Sequence, residues 1–103
     1  HCAGQVALDK NGALVGKGDL QAQTRQALAN LSTVLAAAGA KPSDVVRMRT
    51  YIVGHKPEYL ESVCKAISGF YGDAPPAANT LIGVQALAEP DFLIEIEVTA
   101  QID

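Results

Sequence analysis

The sequence predicts an α+β domain, one mixed β-sheet with two helices packed on one face, and three observations predict it. Residues 92–102, FLIEIEVTAQI, set apolar Phe92, Ile94, Ile96, Val98, Ala100 and Ile102 against Leu93, Glu95, Glu97, Thr99 and Gln101. That alternation is the period of a strand with one greasy side and one carboxylate-bearing side. Two other stretches, opening near Asp19 and Pro57, repeat apolar residues at helical spacing. The remaining β-rich runs interleave with them in the order β-β-α-β-α-β-β, with antiparallel hairpins expected at both ends, so both helices fall on one face.

In chain order, Cys2 to Leu8 reads as a strand interrupted by Gly4, and Asp9-Lys10-Asn11-Gly12 as a hairpin turn into a short return strand, Ala13 to Val15. Asp19 is placed to cap a helix. Behind it Leu20, Thr24, Ala27, Leu28, Leu31, Val34, Leu35 and Ala38 form one stripe. Gln21, Gln23, Arg25, Gln26, Asn30 and Ser32 take the other side, and Gly39 marks the stop. After the turn Lys41-Pro42-Ser43-Asp44, Val45 to Val53 is a strand. Its faces are Val46, Met48, Thr50 and Ile52 against Val45, Arg47, Arg49, Tyr51 and Val53. Pro57 suits the first turn of a second helix, whose stripe is Tyr59, Leu60, Val63, Ile67 and Phe70. Asp73-Ala74-Pro75-Pro76 is a rigid linker. It leads to Ala77–Leu87, which is expected to pair with Phe92–Ile102 as a hairpin across Ala88-Glu89-Pro90-Asp91.

At 103 residues the chain is a single domain, 1–103. Hydrophobic residues make up 49% and charged ones 18%, a balance that leans toward a subunit hiding surface in an oligomer, although much of the apolar share is alanine. The helices cover one side of the sheet. The side bearing Glu95, Glu97, Arg47, Arg49 and Tyr51 must then meet either solvent or another subunit. With eight Lys and Arg against eleven Asp and Glu, the chain exerts no global pull on nucleic acid. Its two cysteines, Cys2 and Cys64, make neither a disulfide framework nor a zinc pattern. No apolar run reaches membrane-span length and no signal peptide is visible, so a cytoplasmic location is the expectation. The chain opens at His1-Cys2-Ala3, without an initiator methionine, inside what reads as structure; a processed or truncated chain is expected.

A set of local matches in the right order resembles the YjgF-like, reactive intermediate deaminase (Rid) family, also called perchloric-acid-soluble or endoribonuclease L-PSP proteins. Ala3-Gly4-Gln5 stands for the family's Ser-Gly-Gln. Residues 23–31, QTRQALANL, stand for its Gln-rich helix, and Ala36-Ala37-Ala38-Gly39 follows. Ser43-Asp44-Val45-Val46-Arg47 stands for its strand entry, Phe70-Tyr71 for its Phe-Phe, and Ile94-Glu95-Ile96-Glu97 for its (V/I)-E-I-E. The resemblance implies a chorismate-mutase-like α+β fold and a homotrimer with ligand clefts between subunits, which would account for the polar sheet face. It also implies a further strand before Ser-Gly-Gln, which is expected to be missing if the chain is truncated.

The resemblance further implies chemistry. Active relatives hold a substrate carboxylate with an arginine, and counting back from Leu87 that position falls on Asn79. A guanidinium offers a charged two-bond fork, an amide only neutral bonds. Charge-assisted bonds are worth about 1.5–3 kcal/mol against about 1 for neutral ones. At about 1.4 kcal/mol per tenfold, an imino-acid substrate should bind one to two orders of magnitude more weakly. Thr80 and Leu81, beside Asn79, are carried over as substrate-binding positions. Glu95 matches the glutamate that positions the attacking water, a role a partly desolvated carboxylate can fill; without the resemblance it reads as a solvated or ion-paired strand residue. Gly4 would let the backbone approach the ligand, or simply bend a strand. Arg47 and Arg49 read first as partners of Glu95 and Glu97 across the sheet or an interface, with Arg49 as a substitute cation in the cleft the sharper alternative.

Cys64 reads as a small buried hydrophobe, although it falls where some relatives carry a cleft asparagine. Cys2 has no evident base, and His1 and His55 are remote in sequence. With no triad, phosphate loop or metal cluster, no metal or cofactor is expected. Two functional readings stand. The first is a divergent hydrolase acting on a small enamine or imine by water attack on C=N, with Glu95 handling water and Asn79 touching substrate. The second is a non-catalytic trimer that binds a small metabolite or a protein partner in the same clefts. Ribonuclease activity ranks last, because no aromatic-basic platform accompanies the acidic balance.

Overall fold

The computed structural model describes residues 5–54, 56, 58–72 and 78–101. Its regular elements are α1 (Leu20–Ala37), β1 (Val45–Val53), α2 (Tyr59–Tyr71), β2 (Ala78–Val84) and β3 (Ile94–Ala100), with a 3-10 turn at Pro42–Asp44 before β1. Both helices lie on one side of a mixed three-stranded sheet of order β2-β1-β3.

That order corrects the C-terminal hairpin. β2 pairs parallel with β1, and β3 pairs antiparallel with the other side of β1, so the last two strands never touch. The intervening 85–93 segment has no two-residue hairpin turn, and it is long enough to cross the roughly 10 Å of two strand spacings. The apolar run Val45–Val53 thereby becomes the central strand. At the N-terminus, among the described residues, the expected strands are represented by isolated bridges, Gln5 to Ile96 and Leu8 to Leu14. The turn between them forms as read. Asp9 Oδ1 accepts from the Asn11 and Ala13 amides at 2.8 and 3.0 Å, and Gly12 supplies the positive φ of 80°. Gly4, Cys2, His1, His55, Pro57 and the 73–76 linker lie outside the described residues.

α1 begins at its expected cap, with Asp19 Oδ1 accepting from the Ala22 amide at 3.1 Å. It ends at Gly39, whose φ of 77° lets the Ala40 amide turn back to the Leu35 carbonyl at 2.8 Å. Its buried stripe is Gln23, Thr24, Ala27, Leu28, Leu31 and Leu35. Gln23, expected on the polar side, is buried, and Val34, expected in the apolar stripe, is exposed. In α2 the buried positions are Val63, Ile67 and Tyr71, while Leu60 is exposed. Met48, Thr50 and Ile52 of β1 and Ile94, Ile96 and Val98 of β3 meet both helices in one core. A register shift between Val45 and Arg47 turns Val45 inward and leaves Val46 exposed, which exchanges the first residues of the two predicted faces.

Candidate functional site

Partners across a β-ladder share a face, so the registers decide where each candidate residue stands. Arg49 lies opposite Glu97 on one side and Thr80 on the other; Tyr51 lies between Glu95 and Ile82. Thr80, Ile82, Arg49, Tyr51, Glu95 and Glu97 therefore share the sheet face that no helix covers. Asn79 lies opposite Met48 and Leu81 opposite Thr50, which puts both on the helix side of β2.

The two glutamates of the open face are in different states. Arg49 Nη1 reaches Glu97 Oε1 at 3.3 Å, and the Tyr51 hydroxyl donates to the same oxygen at 3.1 Å. Tyr51 first, and then Glu97, hold the Arg49 guanidinium above its ordinary pKa. The cross-strand ion pair read from the sequence thus forms between Arg49 and Glu97, which leaves Arg49 committed. Glu95, half-buried, has no ion-pair partner among the described residues, and neither has Arg47.

At the opposite edge, the fully buried Thr50 hydroxyl donates to Asn79 Oδ1 at 3.2 Å. An arginine could not accept that bond. The interaction turns the Asn79 amide so that its N–H groups are left for another acceptor. Asn79 and Glu95 sit on outer strands separated by β1 and on opposite faces, so no small molecule touches both within one chain. Gln5 exchanges both backbone bonds with Ile96, at 2.8 and 2.9 Å, which brings the N-terminal segment alongside Glu95. Each chain consequently presents half of the candidate set at each edge of its sheet. Cys64 belongs to neither half. It is exposed on α2 rather than buried, since the inward positions there are 63, 67 and 71.

Gln23 was missed as an organiser. Completely buried, it donates to the carbonyls of Gly16 and Asp91 at 3.2 and 3.0 Å and accepts from the Leu93 amide at 2.9 Å. It ties the 16–19 loop to the turn that delivers β3 and Glu95. Gly16 must lack a side chain there, because a Cβ would stand 2.7 Å from that of Ala22. The signal was available, since position 23 lies one helical turn from both Leu20 and Ala27. Asn30, another residue assigned to the polar side, donates to the Val6 and Leu8 carbonyls at 2.8 Å and holds the N-terminal segment on α1. Among the described residues no group of three or more His, Cys, Asp or Glu could hold a metal ion, and no helix is long and apolar enough to cross a membrane.

Two helices on one face of a small mixed sheet, with the other face open and charged, define a chorismate-mutase-like α+β domain. The family model described as Endoribonuclease L-PSP matches residues 1–102, and the chain belongs to that family, which includes the YjgF and Rid proteins. A RutC family protein of Pyrococcus horikoshii is 33% identical over 98 residues, covering 95% of this chain and 75% of the relative. A solved structure of YyfB from Yersinia pestis, described as a protein of unknown function of the conserved Rid family, superposes with a TM-score of 0.97. It is 61% identical and covers 99% of this chain and 77% of that one. A Mycobacterium tuberculosis member of the YjgF family is similar at a TM-score of 0.78 and 31% identity, over 97% of this chain and 75% of its own.

Proposed function

We propose that this chain is one subunit of a cytoplasmic homotrimer that hydrolyses a small reactive enamine or imine in clefts between subunits. The observation that carries the reading is the separation of Asn79 from Glu95. Two half-sites on the two outer strands become whole when the β2 side of one copy meets the open face beside Glu95 of the next, a head-to-tail contact that closes into a ring. Bare open-face positions such as Ile82, 36% exposed, support the same contact.

In such a cleft an enamine first tautomerises to its imine by taking a proton on carbon and losing one from nitrogen. Glu95 then accepts a proton from water as the water oxygen bonds to the imine carbon, and hands that same proton to the nitrogen, which gives a carbinolamine and leaves Glu95 a carboxylate again. Glu95 next takes the hydroxyl proton and returns it to nitrogen while the C–N bond breaks. One imine and one water leave as a carbonyl compound and ammonia, with the carboxylate regenerated. Asn79, its oxygen occupied by Thr50, offers N–H donors to a neutral acceptor on the substrate, so uncharged imines are favoured over imino acids.

A second reading, a binding protein without turnover, draws on one feature: among the described residues no hydrogen bond orients the Glu95 carboxylate. The test is a deaminase assay on freshly generated imines, neutral and carboxylated, with wild type and Glu95→Ala. The hydrolase reading expects neutral imines to react faster and the variant to lose about 10²–10⁴-fold, the usual contribution of a general base. Equal background rates throughout would leave the binding reading.

A further inference from the structure

On the far side of the molecule from Glu95, α1 and α2 leave a groove of about 340 Å³ lined by Gln21, Arg25, Leu28, Ser62, Lys65, Ala66 and Gly69. The spacing explains it. Residues 21, 25 and 28 form one stripe of α1, and 62, 65, 66 and 69 form one stripe of α2, so the two stripes face a common trough. Leu28 and Ala66 make an apolar floor.

Two further features point to an occupant. Arg25 is the one charged residue of α1, Lys65 stands across from it, and the lining holds no carboxylate. Neither cation has an ion-pair partner among the described residues, although Glu61 lies one turn before Lys65 on its own helix. This is a positive trough on a chain of net charge −3. Gly69 interrupts a helix interior, where glycine is among the poorest formers. No described residue claims the space, for a Cβ there would meet none of their atoms within 4 Å.

We propose that this groove binds a small organic carboxylate on a compact apolar body, its acid group held between Arg25 and Lys65 and its hydrocarbon on Leu28, Ala66 and Gly69. The volume is at the lower end of ligand pockets, which run from about 300 to 1,000 Å³, so the body is short. Charge complementarity selects the carboxylate, and the apolar floor excludes a bare inorganic anion. The site lies on the helix layer, and its occupancy is independent of imine hydrolysis.

Octanoate and the neutral 1-octanol are the probes, titrated into the full chain while backbone amide shifts are followed by NMR. Octanoate is expected to saturate shifts in residues 21–28 and 62–69. The exposed double variant Arg25→Gln/Lys65→Gln should weaken octanoate by about tenfold or more through loss of charge-assisted bonds, with 1-octanol unchanged. Gly69→Leu should block both probes, while Gly69→Ala, the control for helix effects, keeps the fold and weakens binding only modestly. The proposal is overturned if octanoate shifts map to the open sheet face or never saturate. Octanoate binding of wild-type strength in the charge variant, or unimpaired binding in Gly69→Leu, would overturn it equally.

Discussion

The two faces of the sheet are cut from the same strands and behave oppositely. Toward the helices, Met48, Thr50 and Ile52 of β1 and Ile94 and Ile96 of β3 are 0% exposed. One residue along the same strands, Arg49, Tyr51, Glu95 and Glu97 stand on an uncovered face beside Ile82. The difference shows a division of labour: alternate positions make the core, and the positions between them carry the polar and charged groups of the open face.

Truncation separates the two faces most strongly. Ile96→Ala should destabilise the chain by about 3 kcal/mol, within the 2–5 typical of buried aliphatic truncations. Ile82→Ala should cost the dissociated chain under about 1 kcal/mol and act instead on self-association. Urea unfolding at low concentration, set beside sedimentation, reads both; equal unfolding losses would erase the distinction. Next comes the buried clamp. Gln23→Leu strands the Leu93 amide and two carbonyls, so about 2 kcal/mol should be lost, on the scale of buried groups left unpaired, with hydrogen exchange rising first in 16–19 and 89–93. Unchanged exchange there would show that Gln23 merely fills space. Within the open face the effects are smallest. Glu97→Gln should lower the melting temperature slightly, in low salt only, since its pair with Arg49 is half-exposed. Glu95→Gln should leave it unchanged, and a larger loss for Glu95 would mean that this carboxylate is structural.

Much of this was legible in the sequence because period-two and period-3.6 patterns report burial directly. β1 has the predicted bounds, α1 has its predicted cap and stop, and β3 alternates as read. Pairing was not legible. The runs at 78–84 and 94–100 look adjacent in sequence, yet β1 sits between them, because a strand's side-chain pattern says which face is apolar and nothing about which neighbour it bonds. Polar residues misled for a related reason. Gln23 carries the composition of a solvated face and the position of a buried one, and only its three backbone partners, 7 to 70 residues away, explain the burial. For the candidate site, family resemblance supplied a set of residues to look at and no geometry. That Asn79 and Glu95 face opposite ways depends on the registers that set Asn79 opposite Met48 and Glu95 opposite Tyr51, which local pattern does not encode.

The central claim, a site assembled from two copies, is tested most directly by mixing inactive subunits. Glu95→Ala chains and Asn79→Trp chains, the latter with the substrate position filled by bulk, each inactive alone on the preferred imine, are dissociated, combined in equal amounts and reassembled. Random mixing in a head-to-tail ring leaves about one cleft in four with both native residues, so about a quarter of wild-type activity should return. A mixture as inactive as its components would contradict the account.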